Sequence, residues 1–222
     1  MPSIITAGAA SAKSFGFGAK PGATTSFLTY VQSAIGVLAS AGTVTCSLGA
    51  PSTPGNIQIA FFLAGATSGI TTGTGWVSVT TGDGAQNLGI AYRVVPLGDS
   101  NSSFNFSSTS YNYNIFAIIE FSKASSPAPT LLADTRTTTG TFSPVTTAGD
   151  STAIIVGTNT YGAGGYGPTP TGATLAKYNG FTYSGWTIEM AIWYINVPGG
   201  SLVPAVSVES GAQPGTGFIL VG

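Results

Sequence analysis

The stretch IAYRVVPLGDS at residues 90–100 has a close counterpart, IWYINVPGGSL, at residues 192–202. In both stretches an apolar run ends in Val-Pro and is followed by a turn that contains glycine. The offset of 102 also pairs further apolar residues, namely Tyr92 with Tyr194, Phe104 with Val206, Phe106 with Val208 and Phe116 with Phe218. Upstream, a shifted offset aligns residues 54–62 with 148–156. The repetition predicts two copies of one unit of about five strands.

Apolar residues recur with a period of two, which is the period of a strand rather than a helix. The stretch NIQIAFFLAG (56–65) places on one face Ile57, Ile59, Phe61 and Leu63. Residues 75–95 predict a hairpin around Asp83-Gly84, a dipeptide favoured in tight turns. Residues 113–121 are almost continuously apolar, which predicts a strand buried on both faces.

Short strands recur every 8–12 residues or so, a spacing typical of β-sandwiches and barrels. The predicted fold class is all-β: an antiparallel, jelly-roll-like β-sandwich of about 10–12 strands, with pseudo-repeats at about residues 43–123 and 134–222. Because neither half closes a core well alone, we expect each half to contribute strands to both sheets. Asn179-Gly180 predicts a hairpin turn in the second copy. The alternative is two small domains joined by a linker at residues 135–149.

Residues 1–25 are rich in Gly, Ala, Ser and Thr and predict an extended N-terminal arm. Phe15 and Phe17 alternate with small residues, so they would anchor the arm from one face of a strand. The other interpretation of this segment is a flexible terminus. Residues 26–222 are predicted to form the single β-sandwich domain, beginning with an edge strand and a turn within residues 26–40.

Charged residues make up only 6% of the chain, against about 25% in a typical soluble domain. With 43% hydrophobic residues and a net charge of −1, the composition indicates a folded protein whose surface is nearly uncharged. No basic stripe exists to displace counterions, which argues against nucleic acid as a partner. The start of the chain has no basic segment followed by an apolar core, so no secretory signal is predicted. The longest apolar runs are too short to span a bilayer, so no membrane insertion is expected.

The residue types needed for most catalytic sites are missing or isolated. The chain has no histidine and one cysteine, Cys46, which rules out a Ser-His-Asp triad, a Cys-His pair and a histidine-ligated metal. Glu120 and Glu189 both lie in predicted strands and would need to approach each other to act as an acid/base pair. The other interpretation of such a carboxylate is a structural ion pair, here with Arg93. We therefore expect no enzyme activity, no metal and no cofactor.

Two loops have a composition suited to recognition. Tyr111 and Tyr113 lie in SSTSYNYN (107–114), and Tyr161 and Tyr166 lie in NTYGAGGYGPTPTG (159–172). Tyrosine among Ser, Asn and Gly supplies rigid contact area together with adaptable hydrogen bonds. These residues are candidate contacts for a cell-surface glycan or a protein partner. The alternative is that the tyrosines only cover strand ends.

The segments AGAASAKSFGFG (7–18) and TVTCSLGAPSTPGNIQIAFFLAG (43–65), with GWVSV, IAYRVV and IFAIIEFS further on, resemble the Gly/Thr-rich β-sandwich modules of tailed-bacteriophage virion proteins. The resemblance covers most of residues 1–123, and the second half follows by the internal repeat. Such modules commonly begin the first core strand with Pro-Gly-Asp. Here position 56 is Asn, whereas the second copy has Gly149-Asp150. The resemblance implies no catalytic residues.

The resemblance and the composition together predict a non-enzymatic structural protein on the outside of a phage particle, with a capsid decoration or cement protein favoured. The expected partners are other virion proteins and further copies of the chain, a trimer being one form of the homo-oligomer. The expected location is the virion exterior, after synthesis in the host cytoplasm without a signal peptide. The alternatives are a small tail-fibre or receptor-binding protein, a carbohydrate-binding adhesin module, and a subunit of an extracellular filament.

Overall fold

The computed structural model describes residues 27–64, 75–80, 87–108, 113–123, 131–137, 145–162, 169–204 and 213–222. Within these ranges the chain is all-β, with twelve strands and no helix. The strands in chain order are β1 (Leu28–Leu38), β2 (Gly42–Ser47), β3 (Ile57–Ala64), β4 (Val77–Thr80), β5 (Asn87–Val94), β6 (Ser103–Ser108), β7 (Asn114–Lys123), β8 (Leu131–Thr137), β9 (Ser151–Gly162), β10 (Thr174–Tyr183), β11 (Trp186–Val197) and β12 (Gln213–Val221).

The strands form two five-stranded sheets and one two-stranded sheet, all antiparallel. The first sheet has the order β1-β7-β3-β5-β4, the second has the order β8-β12-β9-β11-β10, and β2 pairs with β6. Each five-stranded sheet is thus built wholly from one half of the chain, and the prediction that each half contributes to both sheets is wrong. Pairing within a half closes shorter loops and therefore costs less chain entropy. The predicted edge strand within residues 26–40 is confirmed as β1, at the border of the first sheet.

The main hydrophobic core contains side chains from both five-stranded sheets. The predicted face of β3 is confirmed, since its four apolar residues all belong to this core, namely Ile57, Ile59, Phe61 and Leu63. From the second sheet the core receives Ile154 and Val156 of β9 and Ile188, Met190 and Ile192 of β11. Burial of this shared face gives each sheet a hydrophobic driving force to pack against the other.

A second core lies on the opposite face of the first sheet, under the β2–β6 ribbon. Phe104 and Phe106 of β6 point to the same side and belong to this core, where the Phe106 ring contacts Phe62 of β3 and Phe116 of β7. The predicted burial of β7 on both faces is therefore confirmed, because its alternate residues face the two cores. Gly36 lets β1 approach the ribbon, since a Cβ there would lie 2.6 Å from the Thr45 carbonyl oxygen.

A third, smaller core lies on the outer face of the second sheet. Its largest member is Trp193, which is fully buried with Ile155, Val197 and Val203. Here the cover includes a single antiparallel bridge between Thr146 and Leu202. Both five-stranded sheets therefore bury side chains on their two faces, which explains why β3 and β9 are apolar at consecutive positions.

The turn predicted at Asn179-Gly180 is wrong, because both residues lie inside β10 and pair with Met190 and Glu189 of β11. The β10–β11 turn is formed by Ser184 and Gly185, which have positive φ angles of 49° and 82°. Two successive positive φ angles are the requirement of a type I′ hairpin turn, which twists with its strands.

The ladders contain β-bulges in both five-stranded sheets. In the first sheet the register shifts in β4, between Ser78 and Thr80, and in β1, between Tyr30 and Gln32. In the second sheet it shifts in β10, between Leu175 and Lys177, at the β12–β8 pairing, between Leu220 and Val221, and at the β11–β9 pairing, between Thr187 and Glu189. The last shift has no equivalent among the described residues of the β3–β5 pairing of the first sheet.

Candidate functional site

Most of the predicted contact residues lie where the structure gives no side chain. Phe15, Phe17, Tyr111 and Tyr166 are outside the described residues, and for Tyr161 in β9 only the backbone is described. The contact roles of these residues stay predictions. The hairpin turn at Asp83-Gly84 also stays a prediction, because both residues lie outside the described part of the chain.

Tyr113 is different, because it has 0% exposed area and belongs to the core between the two large sheets. It directly precedes β7, and the alternation of that strand places residue 113 on the same side as Ile115 and Ala117. A fully buried side chain contacts no external ligand, so Tyr113 is a core residue in this structure and not a contact residue.

Glu120 of β7 is fully buried and accepts four hydrogen bonds from neutral donors. Its Oε1 accepts from the Asn56 amide at 2.6 Å and the Thr53 backbone N–H at 3.0 Å. Its Oε2 accepts from the amides of Gln32 at 2.9 Å and Gln58 at 3.1 Å. Four donors satisfy a buried carboxylate without a counter-charge.

The proposed ion pair between Glu120 and Arg93 is therefore wrong. Arg93 instead forms a salt bridge with Asp99, with Nη1 2.8 Å from Oδ2. Gln58 links Arg93 to Glu120, because its Oε1 accepts from the Arg93 Nε at 2.8 Å and its Nε2 donates to Glu120. The Gln58 side-chain amide thus separates the Arg93 guanidinium from the Glu120 carboxylate, so the two charges make no direct ion pair.

Glu189 of β11 lies on the outer face of the second sheet, on the same side as Ala191 and Trp193. Its Oε1 accepts a hydrogen bond from the Tyr178 hydroxyl at 2.7 Å. Glu120 projects from the other outer face, on the side of the β2–β6 ribbon. The two carboxylates thus face away from each other across both sheets and do not form an acid/base pair.

Arg93 is held between two aromatic rings. Its guanidinium carbon lies 5.2 Å from the ring centre of Trp76 and 4.9 Å from that of Phe104, within the range of cation–π attraction. Only 7% of Arg93 is exposed, and its Nη2 has no hydrogen-bond acceptor within the described part of the chain. The side chain is therefore held by two rings and by the oxygens of Asp99 and Gln58, while Nη2 lacks an acceptor.

A cleft of about 350 Å³ opens beside this arginine. It is lined by Trp76, Arg93, Phe104 and Phe106, and by the polar residues Asn101, Ser103 and Asn105. The Arg93–Asp99 pair contributes no net charge, so the cleft combines an aromatic wall with neutral hydrogen-bonding groups. We name it the Trp76–Arg93 cleft.

Sequence reasoning did not find this cleft. It treated Arg93 as the ion-pair partner of a strand carboxylate, and Phe104 only as one of the apolar positions that the repeat pairs. The available signal was a lone arginine within the apolar strand IAYRVV, since a charge there needs partners from other segments.

The described residues hold no group of three or more Asp, Glu, Cys or His side chains placed to bind a metal ion. Among them there is also no helix with the length and hydrophobicity needed to cross a membrane. In comparisons with known proteins, no protein family, no curated protein and no solved structure matched this chain.

Proposed function

We propose that this protein is a non-enzymatic structural protein on the outside of a phage particle, most simply a capsid decoration protein, and that it acts through protein–protein contacts. The observation that carries the proposal is the placement of charge. The structure describes seven charged side chains, of which Arg93, Glu120 and Glu189 are buried, Asp99, Lys123 and Asp150 are partly exposed, and Lys177 is exposed.

A surface with so little charge has weak electrostatic repulsion between copies, which favours association. Large apolar side chains remain exposed on the same surface. Leu97 is 94% exposed, Leu202 is 59% exposed and Val77 is 51% exposed. In an assembly these side chains would gain hydrophobic contacts that the isolated chain does not provide.

The proposal includes a single jelly-roll-like β-sandwich built from two pseudo-repeats. The sheet order supports it, because β1, β7, β3, β5 and β4 correspond one by one to β8, β12, β9, β11 and β10. The shared core supports a single domain, since both halves supply its side chains. The β2–β6 ribbon and the Thr146–Leu202 bridge then take equivalent places as outer covers.

The bulges support the same correspondence at the level of single residues. The bulge after Ser78 lies opposite Ala91, and the bulge after Leu175 lies opposite Trp193, at the offset of 102. The bulge in β1 lies opposite Glu120 and Phe121, and the bulge in β8 lies opposite Leu220 and Val221, at an offset of 100. Bulges are specific features that related sheets retain, so two coincidences favour duplication over chance resemblance.

The register also changes the alignment of other strands. Phe121 and Val221 both end their central pairings, opposite Ile57 and Thr152, so β7 and β12 correspond at an offset of 100. Phe116 then corresponds to Thr216 and not to Phe218. The offset between β3 and β9 becomes 95, one residue more than in the alignment of residues 54–62 with 148–156. This one-residue difference matters because only the new offset matches the core-facing residues of β3 with the core-facing residues of β9.

Electron microscopy of the purified protein tests the assembly role. The proposal predicts discrete particles of uniform size, and replacement of both arm anchors, Phe15→Ala with Phe17→Ala, is expected to weaken attachment to a larger lattice without unfolding the domain. Long filaments would favour a filament subunit, and elongated three-fold particles would favour a tail-fibre protein. Single monomers in every field would contradict self-association.

A carbohydrate-binding module remains the second candidate function, and the Trp76–Arg93 cleft is the observation that favours it.

A further inference from the structure

We propose that the Trp76–Arg93 cleft is a binding site for a neutral saccharide. The proposal goes beyond the assembly role and does not depend on it. It differs from the tyrosine-loop hypothesis, because the cleft uses none of those tyrosines.

An aromatic wall lines one side of the cleft. Trp76 is partly exposed and is held in place by edge contacts, with its ring centre 6.2 Å from that of Phe104 and 5.7 Å from that of Phe106. A ring that is fixed by its neighbours loses little conformational entropy when a ligand stacks on it. An indole face offers a flat apolar contact for the C–H face of a sugar ring.

Asn101, Ser103 and Asn105 form the polar rim of the cleft and are exposed. Ser103 and Asn105 alternate with the two phenylalanines of β6, so their side chains lie on the outer face of the β2–β6 ribbon. There the Asn105 carbonyl oxygen accepts a hydrogen bond from the Thr45 hydroxyl at 2.8 Å, and its Nδ2 can donate to a ligand at the rim of the cleft. Short amides and hydroxyls of this kind match the hydroxyl groups of a sugar, which both donate and accept.

Arg93 supplies an unused hydrogen-bond donor next to the cleft. Its Nη2 is buried without an acceptor in the described part of the chain, and an unsatisfied buried donor is costly. A shift of the guanidinium toward the cleft would expose this nitrogen to the hydroxyl of a ligand that enters beside Trp76. Asp99 already balances the charge of Arg93 at 2.8 Å, so the cleft offers no excess positive charge for a carboxylate or sulfate. The local charge therefore favours a neutral ligand over an acidic one.

The size of the cleft agrees with this class of ligand. About 350 Å³ lies at the lower end of the range for small-molecule pockets, which is roughly 300–1,000 Å³. A cleft of this volume holds one or two sugar rings and not an extended polypeptide.

The test is a glycan array probed with the labelled full-length protein, followed by titration calorimetry with the best neutral oligosaccharide and with its sialylated counterpart. Trp76→Ala is expected to weaken binding of the neutral oligosaccharide about tenfold or more, and Asn105→Ala several-fold. Trp186→Ala is the matched control, because Trp186 is a 48% exposed tryptophan outside the cleft, and it should leave the affinity unchanged.

Circular dichroism and thermal melting establish that each variant is folded. If Trp76→Ala fails to fold, Trp76→Phe and Asn105→Ala carry the test, since the first retains the ring and the second changes an exposed residue. The proposal is overturned if the array shows no binding, if the sialylated sugar binds better than the neutral one, or if affinity survives Asn105→Ala together with the Trp76 change. Loss of affinity in Trp186→Ala alone would also overturn it.

Discussion

At the scale of single residues, the unusual feature is a small number of buried charges, two of which are each held by several partners. Glu120 has four neutral donors around it, and Arg93 has Asp99, Gln58 and two aromatic rings. These contacts come from segments far apart in the chain. They tie β1, the loop before β3, β3 itself and β7 into one network, so their energetic role should appear in stability.

Replacing Glu120 with leucine tests this role. Glu120→Leu leaves the donors of Gln32, Asn56 and Gln58 without their acceptor, and we expect a loss of about 3–5 kcal/mol in the free energy of unfolding. Glu189→Leu is the matched control, because Glu189 accepts one bond, from Tyr178, and should lose no more than about 2 kcal/mol. Urea unfolding of both variants gives the comparison. Equal losses would show that the network adds nothing.

Cys46 gives a pH-dependent prediction. Burial raises the pKa of its thiol to about 12, from an ordinary value of 9.0. Above pH 9 the unfolded chain loses the thiol proton while the folded chain keeps it, so the free energy of unfolding should fall as the pH rises from 9 toward 12. Urea unfolding between pH 8 and about pH 11 measures this slope, which should become shallower in Cys46→Ala. An identical slope in that variant would contradict the assignment.

At the scale of elements, the strand faces were predictable and the second hairpin was not. The period of two in β3 identified its core face because alternation follows from backbone geometry alone. Asn179-Gly180 is a strong turn signal, yet the chain uses Ser184-Gly185. Gly180 has another role, since a Cβ there would lie 2.8 Å from Cγ of Glu189. A local dipeptide does not reveal such a contact with the neighbouring strand.

The β10–β11 turn can be tested by substitution. Ser184→Asn should raise the free energy of unfolding by about 0.5 kcal/mol, because asparagine tolerates a positive φ better than serine. Gly185→Ala should lower it by about 1–2 kcal/mol, since a Cβ is strained at that φ. Thermal and urea unfolding measure both changes. A Gly185→Ala variant as stable as the parent would contradict a turn at Ser184-Gly185.

At the scale of the whole molecule, each half of the chain forms its own sheet and the two sheets share one core. The sequence analysis predicted that each half would contribute strands to both sheets and so missed this division. Strand pairing depends on the entropy of loop closure and on strand register. The 102-residue offset aligns residues of the two halves but does not tell which strands pair. The Trp76–Arg93 cleft escaped prediction for a related reason, since residues 76, 93 and 104 meet only after β6 has folded over the first sheet.

The placement of charges is also a property of the whole molecule. A chain with six basic and seven acidic residues has few charges to keep copies apart, and some of these are buried in the fold. We therefore expect association between copies to depend on apolar contacts and to change little with ionic strength.

The most direct test is the mass of the full-length protein in solution, measured by multi-angle light scattering from low to high micromolar concentration and at low and high salt. The account predicts a uniform multimer, such as a trimer, whose mass is the same at both salt concentrations. A monomer of 22.2 kDa at every concentration, or a multimer that dissociates in salt, would contradict an assembly role carried by an uncharged surface.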